Sequence, residues 1–262
     1  MNWGQLISDY RLGGKIVIEH FTENAYKTSQ FEKDHKRIIS SASFRRLQDK
    51  TQVFPLDESD FVRTRLTHSF ETAAIAKTLG VMALSDLKNR EDWNSDNEDA
   101  IESIPDILMC AGLLHDIGNP PFGHFGEEII KIWFQKNLKE YFIENSNAEK
   151  PITKILKSEH ILDLQNFDGN AQALRILTKL HSQDNEYGMN LTAAILNTLI
   201  KYPCSSMEIK KQTISRIRKW DISMPKKLYL MPSQAKRALE KLGIRLLIFW
   251  KRLTTLLIKR QI

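Results

Sequence analysis

Apolar residues recur at intervals of three and four through residues 30 to 48, 66 to 87, 105 to 117, 125 to 142, 170 to 181 and 190 to 201. A period of about 3.6 puts successive apolar side chains on one helix face, so each segment predicts an amphipathic or buried α-helix. In the third segment, Pro105 suits a first helical turn, Gly118 suits a C-terminal stop, and the "NPP" that follows forbids further helix. His115 and Asp116 therefore fall at a helix end. Strand signals are sparse: in "KTQVFPL", Val53 and Phe54 suit a short hairpin arm near residues 50–60. Nothing repeats internally. The expectation is an all-α fold with at most that short β-hairpin.

Length and composition narrow the picture. With 262 residues and no low-complexity stretch the chain suffices for one sizeable core, so one soluble domain is expected. Cys110 sits inside "ILMCAGLL", far from Cys204, which argues against a disulfide framework or a cysteine-rich zinc site and fits a reducing cytoplasm. No apolar run reaches the roughly 20 residues of a bilayer span, and "MNWGQLISDYRLGGK" lacks the basic-then-apolar order of a signal peptide. A cytoplasmic chain with no membrane partner is the expectation. Charge is uneven: residues 209 to 262 carry fifteen Lys and Arg against only Asp221 and Glu240, so the chain's net +6 conceals a net acidic remainder. Such a basic end ordinarily reads as a contact for nucleic acid or a membrane surface.

Three segments hold more polar chemistry than packing requires: "SFRRLQDKTQVF", "FVRTRLTHSFETAAIA" and "GLLHDIGNPPFGHFGEE". His68 alone reads as a hydrogen-bonded structural histidine. Arg65 and Glu71, three residues to either side, put a cation and an acid on the same helical face. His115 and Asp116 alone read as a helix-end histidine beside a surface acid. The apolar "CAGLL" before them buries that helix, however, and a buried imidazole and carboxylate are costly unless paired or holding a metal. His124 and Glu127, spaced i and i+3, can face one site as a proton-transfer pair; capping of the helix is the plainer reading of Glu127.

The stretches "RIISSASFRRLQDKTQVF", "DFVRTRLTHSFETAAIA", "LLHDIGNPPFGHFGE" and "NFDGNAQALRIL", in that order, resemble the HD superfamily of metal-dependent phosphohydrolases, and within it the deoxyguanosine triphosphate triphosphohydrolase family. The resemblance runs from the start of the chain to about residue 205. It implies an HD-domain helical bundle that hydrolyses dGTP, or another dNTP, to deoxynucleoside and inorganic triphosphate with Mg or Mn. It also implies that His68, His115 and Asp116 are three of four metal ligands and that His124 and Glu127 are the catalytic pair. Gln48 and Arg65 would lie against the nucleotide, and Asn119 near the phosphates or metal. A homo-oligomer and single-stranded DNA as an effector are further expectations of the resemblance. The chemistry agrees with it: a metal lowers the pKa of bound water and polarises a phosphoryl oxygen, while arginines offset the triphosphate charge.

The family's fourth ligand, an aspartate in a stretch like "LEAADDIAY", has no counterpart after residue 205. One frame back, "QTISRIRKWDISMPKK" can be read as "TDDIKNKKMGYFYAEK", and "WKRLTTLLIKRQ" with Phe249 before it as "LEAADDIAYKTAD". Codons without freedom agree: Phe249 then Trp250 forces Leu, Trp250 then Lys251 forces Glu, and Trp220 then Asp221 forces Gly. The expectation is an HD-type domain over residues 1–208 and an out-of-frame basic tail over 209–262, leaving this form impaired. Two other readings remain: a nucleotide-binding HD protein without turnover, and a nucleic-acid binder acting through the basic tail, which the frame argument weakens.

Overall fold

Short polar residues set where the helices begin. In the computed structural model, which describes residues 7–14, 29–52, 59, 61–89, 101–144, 156–181 and 186–200, helix α1 spans Gln30–Ser40. The Ser29 hydroxyl accepts the Glu32 N–H, and the Glu32 carboxylate accepts the Ser29 N–H, a reciprocal cap. The helix foreseen over 30 to 48 is divided at Ser41, whose backbone is extended and whose hydroxyl donates to Ile38 O while accepting the Phe44 N–H. That one side chain ends α1 and starts α2, Ala42–Arg45, which passes into a 3-10 turn over Arg46–Asp49. Of the expected hairpin, the described residues contain one antiparallel bridge, Thr51 to Thr64; Val53 and Phe54 lie outside them.

Helix α3, Arg65–Lys88, opens at Thr64, which exchanges hydrogen bonds with Thr67. Helix α4, Ile104–Leu114, has Pro105 in its first turn, and His115 is its C-cap. Helix α5, Gly123–Glu144, follows a turn in which Phe122 and Gly123 both have positive φ, 62° and 54°. Helix α6, Ser158–Gln165, is eight residues long and buries none of its residues. Helix α7, Gly169–Arg175, continues into a π-turn at Ile176–Leu180, and α8 covers Ala193–Leu199. The chain is all-α.

The core lies between α3 and α4, closed by α1, α7 and α8. Ile107, Leu108, Cys110, Leu113 and Leu114 of α4 are buried, as are Ala73 and Ala76 of α3. Small residues let the two backbones approach. A Cβ on Gly112 would stand 2.7 Å from the Ala73 Cα, and one on Gly80 would stand 2.7 Å from the Pro105 Cα. Burial also pushes the Cys110 thiol well up, so it stays protonated and inert. Gly118 has a different role from the expected helix stop. It is not in the left-handed region, and α4 already ends at Leu114; a side chain there would collide with the Gly169 carbonyl and the Ala173 N–H of α7.

A buried ion pair ties down the periphery of this core. Arg11 Nη1 lies 2.6 Å from Asp34 Oδ1 with neither side chain exposed, and Asp34 Oδ2 accepts the Thr192 N–H at 2.9 Å. Among the described residues no helix is long and apolar enough to cross a membrane. Because Gly112 touches backbone, which cannot swing aside, Gly112→Ala should cost roughly 1–3 kcal/mol. A lowered urea midpoint with an unchanged slope is the expected readout.

Candidate functional site

Burial of α4 carries its C-terminal residues into the protein interior. His115, the helix cap, stays half-buried and directs Nδ1 at the Gly112 carbonyl, 2.7 Å away. A carbonyl only accepts, so Nδ1 is the donor to it, and Nε2 is the nitrogen left to ligate. His68, in the first turn of α3, places its ring 5.2 Å from that of His115. One ligand-type atom from each of His68, His115 and Asp116 lies within 4.8 Å of the others. Two imidazoles and a carboxylate at that spacing are a donor set that fits one divalent cation. Burial pushes the His68 pKa down, which favours the neutral form of the ring that ligates.

Asp116 is the most heavily engaged of the three. Arg65 Nη1 donates to Oδ2 at 2.6 Å and Asn119 Nδ2 to Oδ1 at 2.7 Å, while the His115 Nε2 stands 3.5 Å from Oδ1. Burial alone would raise the Asp116 carboxyl, but the charges of His115, Arg65 and His68 outweigh it and hold the group below the usual carboxylate range.

His124 and Glu127 face each other one turn into α5, with Nδ1 and Oε2 2.9 Å apart. The partners differ in exposure: the His124 side chain is 78% exposed and that of Glu127 is 3%. Glu127 Oε1 accepts the N–H of Gly169, the first residue of α7, at 2.8 Å. Asn119 lies between this pair and the metal-type cluster, since a Cβ on Gly169 would press on both the Asn119 and the Glu127 side-chain oxygens.

The remaining candidates are placed as follows. Arg65 is buried against Asp116, and its Nε has no hydrogen-bond partner. Gln48 is exposed and accepts from the Thr64 hydroxyl at 3.4 Å. Glu71 pairs with Arg63 at 3.1 Å. Two residues escaped sequence reasoning. Lys50 Nζ donates to the Asn119 carbonyl at 2.9 Å, and Gln52 has a buried side-chain oxygen without a partner. Both belong to the polar run "LQDKTQ", which was the available signal.

The HD domain family pattern matches residues 65–198, which hold His68, His115, Asp116, His124 and Glu127. The chain belongs to the HD-domain family. HD relatives include a deoxyguanosinetriphosphate triphosphohydrolase-like protein of Listeria monocytogenes, 49% identical over 214 residues, covering 82% of this chain and 45% of the relative. Another, from Synechocystis, is 41% identical over 218 residues, covering 82% of this chain and 46% of its own. The deoxyguanosinetriphosphate triphosphohydrolase of Yersinia enterocolitica is 37% identical over 196 residues, covering 69% of this chain and 38% of its own. This HD chain thus spans less than half the length of these relatives.

The Arg65–Asp116 pair makes two linked predictions. Arg65→Leu leaves a buried carboxylate uncompensated and should cost roughly 3–5 kcal/mol in chemical unfolding. With a folded pKa below the unfolded one, Asp116 contributes stability above about pH 4 that is lost as pH falls through the lower folded value. Asp116→Asn should remove that part of the acid dependence.

Proposed function

We propose that this HD chain hydrolyses dGTP, or a closely related dNTP, to deoxynucleoside and inorganic triphosphate, with Mg²⁺ or Mn²⁺ held by His68, His115 and Asp116. One observation carries the reading: a donor set suited to one cation lies a single asparagine away from a buried carboxylate that orients an exposed imidazole. Similarity to relatives whose names give this substrate supports the choice of nucleotide.

When bound, the cation would supply Lewis-acid polarisation of a phosphoryl oxygen and lower the pKa of water. The chain's own groups do the rest. Gly112 holds the His115 tautomer, and Arg65 and Asn119 aim the Asp116 oxygens. With His124 as the imidazolium, its Nδ1–H donates a hydrogen bond to Glu127 and its Nε2–H passes a proton to the departing 5′ oxygen, leaving the neutral ring. The exposure of His124 gives the ring access to a bound nucleotide, whereas the burial of Glu127 keeps the carboxylate from swinging away. In this reading Gln48 and Arg65 lie on the nucleotide side and Asn119 beside the phosphates, in a homo-oligomer that responds to single-stranded DNA.

The same proposal treats residues 209–262 as out-of-frame translation, with the fourth metal ligand encoded one frame back. Restoring the frame near the adenine-rich codons of Lys210 and Lys211 should then raise turnover. Wild-type-like turnover by a chain of verified 262-residue mass would count against it.

The activity test is product analysis of dGTP incubated with Mn²⁺ and the frame-restored protein. Deoxyguanosine and inorganic triphosphate are expected; dGMP with pyrophosphate would overturn the assignment. His124→Ala should lower kcat about 10²- to 10⁴-fold. Mn²⁺ affinity should be little changed, because His124 is not among the proposed ligands.

A further inference from the structure

The stretch "NFDGNAQALRIL" belongs to the resemblance with the HD phosphohydrolases, but the proposed chemistry assigns it no task. We infer that Gly169 within it is a positioning residue, whose backbone N–H and missing side chain hold the Glu127 carboxylate with one oxygen turned toward His124. The inference rests on the proposed role of His124 and Glu127.

Glu127 is 2% exposed, and a carboxylate removed from water needs fixed donors. Its two oxygens are divided between the Gly169 N–H at 2.8 Å on Oε1 and His124 Nδ1 at 2.9 Å on Oε2. With one oxygen held by backbone, the plane of the carboxylate cannot rotate without breaking a buried hydrogen bond. The other oxygen therefore stays on the imidazole.

Space, rather than backbone freedom, explains the glycine. Gly169 is not in the left-handed region, so any residue could adopt its backbone. A Cβ there would stand 2.7 Å from Glu127 Oε1 and press still harder on Asn119 Oδ1. The N–H can approach the carboxylate only because nothing else occupies that space.

The donor is itself anchored. Asp168, buried at 2%, accepts the N–H and the side-chain Nδ2 of Asn170, each at 2.8 Å, which fixes the first turn of α7. Beneath it, Gly118 admits the Gly169 carbonyl and the Ala173 N–H to a distance that no side chain would allow. Gly169 is thereby fastened to the loop that carries Asp116 and Asn119, and it sets the spacing between the acid–base pair and the metal-type cluster.

The test uses the full chain labelled with ¹⁵N. In the wild type the Gly169 amide should exchange slowly with solvent, and Glu127→Ala should speed that exchange at least about tenfold by removing its acceptor. In Gly169→Ala, the His124 ring resonances should move toward their positions in Glu127→Ala, while those of His35 on α1 and His160 on α6 stay in place. Turnover should fall about a hundredfold in kcat with little change in KM, as misplacement of a reacting group does. Gly169→Ala should add no further loss in the Glu127→Ala background. Equal Gly169 exchange in wild type and Glu127→Ala, or His124 resonances unmoved in Gly169→Ala, would overturn the inference. If Gly169→Ala fails to fold, the exchange comparison in Glu127→Ala still decides. The turnover comparisons use the frame-restored protein; if it turns over no dGTP, the proposed function fails, while the exchange and resonance results continue to judge the contact.

Discussion

The buried carboxylate of Asp116 is the constraint on which the site depends. Its cost of burial is offset by a guanidinium on one oxygen and an amide on the other, with an imidazole alongside. These partners come from α3, from the turn after α4 and from the loop leading to α5, so the charge holds three segments in register. Arg65 is the central member, because its backbone N–H also bonds the Lys50 carbonyl at 2.9 Å beside the Thr51–Thr64 bridge. The polar run after α2 is thereby brought to the same place.

Packing sets the distances that these polar groups exploit. Glycines occur where two backbones must nearly touch: Gly112 against Ala73, Gly80 against Pro105, and Gly118 against α7. The first two seat α4 on α3 and so bring His115 within ring contact of His68. The third seats α7 on the loop after Asp116. Interiors at crystal-like density transmit a displacement rather than absorb it, so an added methyl group at any of these points shifts a functional side chain as well as lowering stability.

Exposure divides the site into a rigid floor and an accessible edge. Asp116, Glu127 and Arg65 are buried, and His124 projects outward from the edge. A buried carboxylate orienting an exposed imidazole reappears in many proton-transfer sites, since it restricts the ring without blocking it.

Helices α3, α4 and α5 were legible in the sequence because their apolar period, Pro105 and the polar residues at their ends are local signals, and so was the grouping of His68, His115 and Asp116 through the family motifs. Local signals also allowed two wrong readings. A continuous helix over 30 to 48 ignored that a serine can satisfy both the end of one helix and the start of the next, and Gly118 as a helix stop ignored α7, which lies more than fifty residues further along the chain. Contacts between remote segments decided the rest: Glu127 with Gly169, Lys50 with Asn119, and Glu71 with Arg63. By itself the sequence determined which residue types were available and on which helical face each stood. Only the tertiary structure decided which of them met, because hydrogen bonds and close packing act over a few ångström in space and leave no period along the chain.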